Sequence, residues 1–265
     1  MTSNNCLNCD KELTDKFCSG CGQKADTRRI SFKNFIFHDL LHGTFHIERG
    51  MLFTAKQALL CPGKAALNYI SGKRKRYYNV FLLILLTIGY TLFIRHFYDQ
   101  WELSQGTIIP DRVYPNEASR KIDEIIAQKS KFIILLFVPF AALNSFILFR
   151  KKKLNLSEHT IIAGMVLLGM ILISAIAHTL YYINLLRVDY VADVINFVTP
   201  FLVIIHIGYG YYNAFNAEYS KLGISYRVAL FYGLFAIEIM LLVYLVIGIV
   251  TNWKYGTTVT ISPFN

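Results

Sequence analysis

Four cysteines in two CxxC pairs, Cys6, Cys9, Cys18 and Cys21 in "CLNCDKELTDKFCSGCGQ", are the side chains best arranged for chemistry. Each pair can curl its backbone so that two thiolates converge, and four thiolates complete a closed tetrahedral zinc(II) shell. The eight-residue spacer between Cys9 and Cys18 is shorter than in the common double-CxxC pattern, yet long enough for a hairpin. Catalytic zinc keeps an open position and usually takes His or a carboxylate, so these ligands point to structural zinc. Disulfides would need an oxidising compartment, and a thioredoxin-like pair a βαβ context that the neighbouring residues do not supply. A segment of about 20 residues cannot bury a core of its own, so the metal takes the place of one. The fifth cysteine, Cys61, stands far from the others and reads as a packed free thiol.

A second set of reactive side chains falls inside or beside long apolar runs. Glu238, His206 and His178 are the ionisable groups there, with Tyr209 and Asn213 following His206 at helical spacing and Asn144 interrupting another run. Charged groups in hydrocarbon cost about 2.5–3.5 kcal/mol on insertion scales, which makes these three candidates for an intramembrane polar site. Hydrogen-bonded packing between helices is the plainer role for the same residues. Glu158 and His159 stand where a run begins, at the level of a basic cluster, and could hold a phosphate or lipid headgroup, although an ordinary interfacial belt is the plainer reading. His38, His42 and His46 recur every four residues, a weaker metal-ligand pattern because Gly43 and Thr44 interrupt the helix. No nucleophile elbow, HExxH or phosphate loop occurs, and this argues against an enzyme.

The elements that must carry these groups follow from composition. With 54% hydrophobic and 17% charged residues, and a mean hydropathy of +0.41, the chain is too apolar for a soluble domain of 265 residues. Runs near the ~20 residues a spanning helix needs occur at 80–97, 132–149, 161–183, 194–215 and 228–250. The expected fold is therefore an all-α polytopic membrane protein of about five transmembrane helices. A small zinc ribbon (1–27) and an amphipathic collar (28–79) precede the bundle (80–250). The first run starts after Tyr78, later than the apolar core of a cleaved signal peptide. "GKRKRYY" before the first run and "RKKK" after the second place both in the cytoplasm by the bias of Lys and Arg to inner loops. The N-terminus is then cytoplasmic, the 98–131 loop and the tail 251–265 external, and the membrane the bacterial inner one. A net charge of +10 fits anionic lipid at the inner leaflet more simply than nucleic acid, with Lys73, Arg74, Lys75 and Arg76 as the lipid- or anion-binding cluster.

Within the collar, Phe32, Phe35, Ile36 and Leu40 fall near helical period, Thr54 and Gln57 have capping-box spacing, Pro62 suits a first helical turn and Gly72 a stop. The ribbon ending "CSGCGQ", the stretch "LFTAKQALLCPGKAALNYISGKRKRYYNVF" and the Glu158–His159 pair together resemble an uncharacterised bacterial membrane family with an N-terminal zinc ribbon. Its signature, PG followed after eight residues by GKR and an aromatic, is met by Pro62, Gly63, Gly72, Lys73, Arg74 and Tyr77, whereas Val80 stands where that family has proline. The resemblance implies a cytoplasmic-membrane protein and supplies no reaction. The expected function is a non-enzymatic scaffold or adaptor docking a cytoplasmic protein through the ribbon, with oligomers compatible. A small transporter or channel centred on Glu238 and His206 is the first alternative, a lipid-modifying enzyme using Glu158, His159 and Arg74 the second.

Overall fold

The computed structural model describes residues 5–25, 50–104, 114, 116–186 and 190–253. The His38, His42 and His46 pattern, the first part of the collar and the end of the tail lie outside them. Among the described residues every regular element is helical: α1 (Gly50–Leu60), α2 (Pro62–Ile70), α3 (Val80–Ser104), α4 (Glu117–Leu135), α5 (Phe137–Leu148), α6 (Leu156–Leu180), α7 (Tyr190–Phe215) and α8 (Lys221–Thr251).

Helices α3, α6, α7 and α8 are long and apolar enough to cross a membrane. Five such runs are expected from the sequence; the run at 132–149 is instead divided between the end of α4 and α5, leaving a shorter apolar stretch, Ile133–Leu148. Pro139 accounts for the division. It has no N–H for the Leu135 carbonyl and its ring crowds that carbonyl, so the helix yields at Leu136 and restarts with proline in its first turn. The loop expected at 98–131 holds further helix at both ends, because α3 runs on to Ser104 and the Asn116 side chain caps α4 by accepting from the Ser119 N–H at 2.8 Å.

α6 is the axis of the bundle. Its Ile162, Ala163, Met165, Val166, Leu167 and Leu168 are fully buried, whereas α8 turns Ile237, Met240, Leu241 and Ile249 outward as lipid-facing helices do. Val80 meets α6 at Gly164 and Tyr90 bonds Thr179 at 3.0 Å, so α3 and α6 run the same way and α7 returns between α6 and α8. Residues 72–79, 149–155 and 216–220 therefore share one end, the ribbon end.

The described part of the collar, whose apolar faces are expected at the inner leaflet or at the cytoplasmic mouth of the bundle, packs into the bundle. α1 and α2 form a hairpin against α6 and α7, with Ala58, Ala65 and Ala66 fully buried. Small residues permit the approach, as they do where membrane helices touch backbone to backbone. Thr54 is not a capping residue, because it lies inside α1; its hydroxyl donates to the Gly50 carbonyl at 2.7 Å and accepts from the Tyr78 N–H at 2.8 Å. Pro62 does open α2, and Gly72, at φ +105°, does end the turn that follows.

Candidate metal centre and the turn it holds

Two equivalent knuckles build the metal centre. In the first the Cys6 N–H donates to the Lys11 carbonyl at 2.8 Å and the Asp10 N–H to the Cys6 carbonyl at 2.9 Å. Twelve residues on, Cys18 donates to Gln23 and Gly22 to Cys18, both at 2.8 Å. Asp10 (φ 58°) and Gly22 (φ 71°) occupy matching left-handed positions, which only glycine and a few short polar residues accept cheaply. Single antiparallel bridges, Asn5 to Glu12 and Phe17 to Lys24, close the knuckles.

The four sulfurs lie within 4.8 Å of one another, with Cys6–Cys21 at 3.6 Å and Cys9–Cys18 at 3.5 Å. A tetrahedron with metal–sulfur bonds of about 2.3 Å has edges of about 3.8 Å, so the cage fits one four-coordinate ion. Backbone N–H groups of Cys21 and Gly20 pull the Cys18 thiol down to about 6. Cys9 moves the other way, to about 12: the Lys11 N–H favours its thiolate, and the Cys18 sulfur and burial outweigh it. A bound cation removes that inequality by displacing the protons.

The ribbon is bound to the chain's own basic turn. The Gln23 side chain donates to the Gly72 carbonyl at 2.8 Å and accepts from the Arg74 and Lys75 N–H groups, both at 3.2 Å. Leu7 packs on the bare face of Gly72, where a Cβ would lie 2.6 Å from its Cδ1. Lys75 and Arg76 point to solvent, Lys73 and Arg74 are half-buried, and the Arg74 guanidinium lies 5.6 Å from the Tyr69 ring centre. The sequence put ribbon and basic cluster on the same side of the membrane and did not show that Gln23 joins them, its only signal being its place at the end of the last knuckle.

The intramembrane candidates do not converge. Glu238 accepts a hydrogen bond from the buried Asn144 amide at 2.9 Å, between α8 and α5. His206 faces the hairpin: a Cβ on Gly169 would stand 2.1 Å from its Nε2 and 2.6 Å from the Ala58 carbonyl oxygen. That carbonyl sits four residues before Pro62, which has no N–H to offer it. Tyr209 donates to the Leu60 carbonyl at 3.1 Å and the Asn213 side chain accepts from the Lys64 N–H at 2.8 Å. Tyr209 and Asn213 thus serve backbone groups at the hairpin tip, while the buried His206 Nε2 has no hydrogen-bond partner among the described residues. Cys61, in that tip, donates to Gln57 at 2.9 Å.

Glu158 and His159 have structural partners as well. Glu158 completes a capping box with Asn155, and His159 is fully buried, its Nδ1 2.8 Å from Ser145 Oγ and its ring stacked on Phe215. His178 lies at the opposite end, where α3, α6 and α7 enclose a cavity of about 630 Å³ that also presents Arg95, Asp99 and Glu102.

A family model described as "Protein of unknown function (DUF3667)" matches residues 48–88, which take in α1, α2, the basic turn and the start of α3. The PG and GKR signature falls within that match and the ribbon outside it. No curated protein and no solved structure matches the chain.

Proposed function

We propose that this chain is a non-enzymatic, multi-span scaffold of the cytoplasmic membrane whose zinc ribbon braces a polybasic turn against anionic headgroups of the inner leaflet. The clamp of Gln23 on Gly72, Arg74 and Lys75 carries the reading, because it couples the metal-folded segment to the four cations in one rigid unit. Charge asymmetry supports the orientation. Lys73–Arg76, Arg150–Lys153 and Arg227 gather at the ribbon end, while the other end has fewer cations among the described residues, of which Arg95, Arg120 and Lys121 pair with Asp99, Glu124 and Glu117. On this reading the N-terminus is cytoplasmic, α5 with the end of α4 makes a fifth, kinked span, and the C-terminus is external. A closed tetrahedral shell of four thiolates suits zinc, the ion this reading assigns to it. A cytoplasmic protein could add to this on the outer face of the ribbon, where Phe17 is 59% exposed.

Lipid discs test the brace. Anionic discs should protect the Lys73–Arg76 turn of the full chain from trypsin, neutral discs should not, and Gln23→Ala should lose most of the protection while keeping its metal. Equal cleavage in both discs, or full protection in Gln23→Ala, would remove the brace.

A second reading, solute handling, is favoured by the far-end cavity rather than by Glu238 and His206, which face different partners. Arg95, Asp99, Glu102 and His178 could together hold a small charged solute. A solute that raises the melting temperature of wild type but not of His178→Ala would support it; a screen of amino acids, amines and small carboxylates without any such shift would dismiss it.

A further inference from the structure

A cleft of about 270 Å³ opens beside α6, away from the metal centre and the far-end cavity. Gly164 of α6 lies at its floor over the fully buried Leu167, with Phe81 and Ile84 of α3 on one side and Val138 and Pro139 of α5 on the other. Its origin is local. Gly164 leaves the floor bare, the nearest atom to a Cβ built there being Val80 Cγ1 at 3.9 Å, and the break before Pro139 turns α5 aside. The polar residues of the lining, Tyr69, Asn79 and Thr160, belong to the end nearest the ribbon. There Arg74 covers the Tyr69 ring and its Nε donates to the Tyr69 carbonyl at 3.4 Å.

We infer that this cleft is a binding site for an anionic phospholipid, one acyl chain lying along α6 from Thr160 past Gly164 to Leu167 and the phosphate meeting the basic turn at Arg74. The inference rests on the leaflet orientation given above and adds a specific ligand to it. An apolar slot with one polar end, where Arg74 lies on the Tyr69 that lines it, suits an amphiphile and not a free phosphate, which would leave the slot unfilled. From Thr160 to Leu167 a helix rises about 10 Å, enough for the upper half of a chain, with the remainder in the bilayer. Guanidinium and phosphate form charge-assisted hydrogen bonds of the stronger kind, and this selects anionic over zwitterionic lipid.

Lipid retention by the full chain purified in mild detergent tests this, read by mass spectrometry of extracted lipid beside metal content. Wild type should keep about one phospholipid per chain, enriched in phosphatidylglycerol or cardiolipin over the membrane extract. Gly164→Phe, whose ring would occupy the slot, should lower retention at least tenfold with metal content unchanged. Val138→Phe should do the same from the opposite wall, so misfolding of one variant does not decide the matter. Arg74→Gln should keep a lipid and lose the anionic preference. Retention unaltered in both phenylalanine variants, or a wild-type lipid profile equal to the bulk membrane, would overturn the proposal. Retention is measured without discs or trypsin, so failure of the brace and failure of the lipid site are read separately.

Discussion

Serine at both Cys18 and Cys21 is expected to strip the metal from the chain and unfold residues 5–25 while the helices stay in place. The ribbon has two single-residue bridges and no regular element to hold it otherwise. Cys6 and Cys18 are its buried apolar side chains, and the sulfurs they bury are ligand atoms. Apparent binding energies of structural zinc in small modules run to about 10–16 kcal/mol at neutral pH. Each hydrogen bond of Gln23 supplies only about 1 kcal/mol net, too little to fold the segment alone. The double variant should therefore lose its one equivalent of metal by elemental analysis, and trypsin should cut at Lys11, Lys16 and Lys24 in seconds to minutes. Far-UV circular dichroism should hardly change, because no helix lies within residues 5–25. A ribbon that resists trypsin without metal would mean that packing on Leu7 and Gly72, not the ion, keeps it folded.

The pieces of this arrangement were legible in the sequence to different degrees, for physical reasons. Thiolate pairs announce themselves because ligand spacing is local: each knuckle closes within six residues, and nothing distant is needed to see it. Apolar length is also local, and four of the five expected runs stand as long helices. The second run failed to stay continuous because one proline outweighed the hydropathy around it. What could not be read is pairing across distance. Gln23 meets a turn some fifty residues later, and Asn213 reaches Lys64 across 149 positions. Helical spacing rightly put His206, Tyr209 and Asn213 on one face of α7 and could not tell that the face is filled by α1 and α2. Amphipathicity left two placements open for a similar reason. A hairpin rich in alanine and glycine, with aromatic and leucine side chains at its edges, gives the same periodicity whether it lies on a membrane surface or slots between helices.

Gly63→Leu distinguishes those two placements, and it should be among the most damaging single substitutions in the chain. A Cβ at Gly63 would lie 2.3 Å from the Gly210 carbonyl oxygen and 2.4 Å from the Ala214 nitrogen, both backbone atoms of α7 that cannot swing aside. Accommodating leucine there means lifting α2 off α7. The Lys64 N–H then loses Asn213 and the Leu60 carbonyl loses Tyr209. Overpacking costs about 1–3 kcal/mol and the lost hydrogen bonds about 1 kcal/mol each, so a loss of several kcal/mol is expected. Gly89→Leu is the control, since nothing lies within 4 Å of a Cβ there and a leucine on that face of α3 would meet lipid. Thermal unfolding in detergent should show a fall of many degrees for Gly63→Leu and little change for Gly89→Leu. In zinc-saturated protein a maleimide should label Cys61 at least tenfold faster in Gly63→Leu, located by peptide mass spectrometry. A surface-lying hairpin would tolerate the leucine, which its lipid side would even welcome. Equal stability of the two variants would thus return α1 and α2 to the interface and leave His206, Tyr209 and Asn213 facing something else.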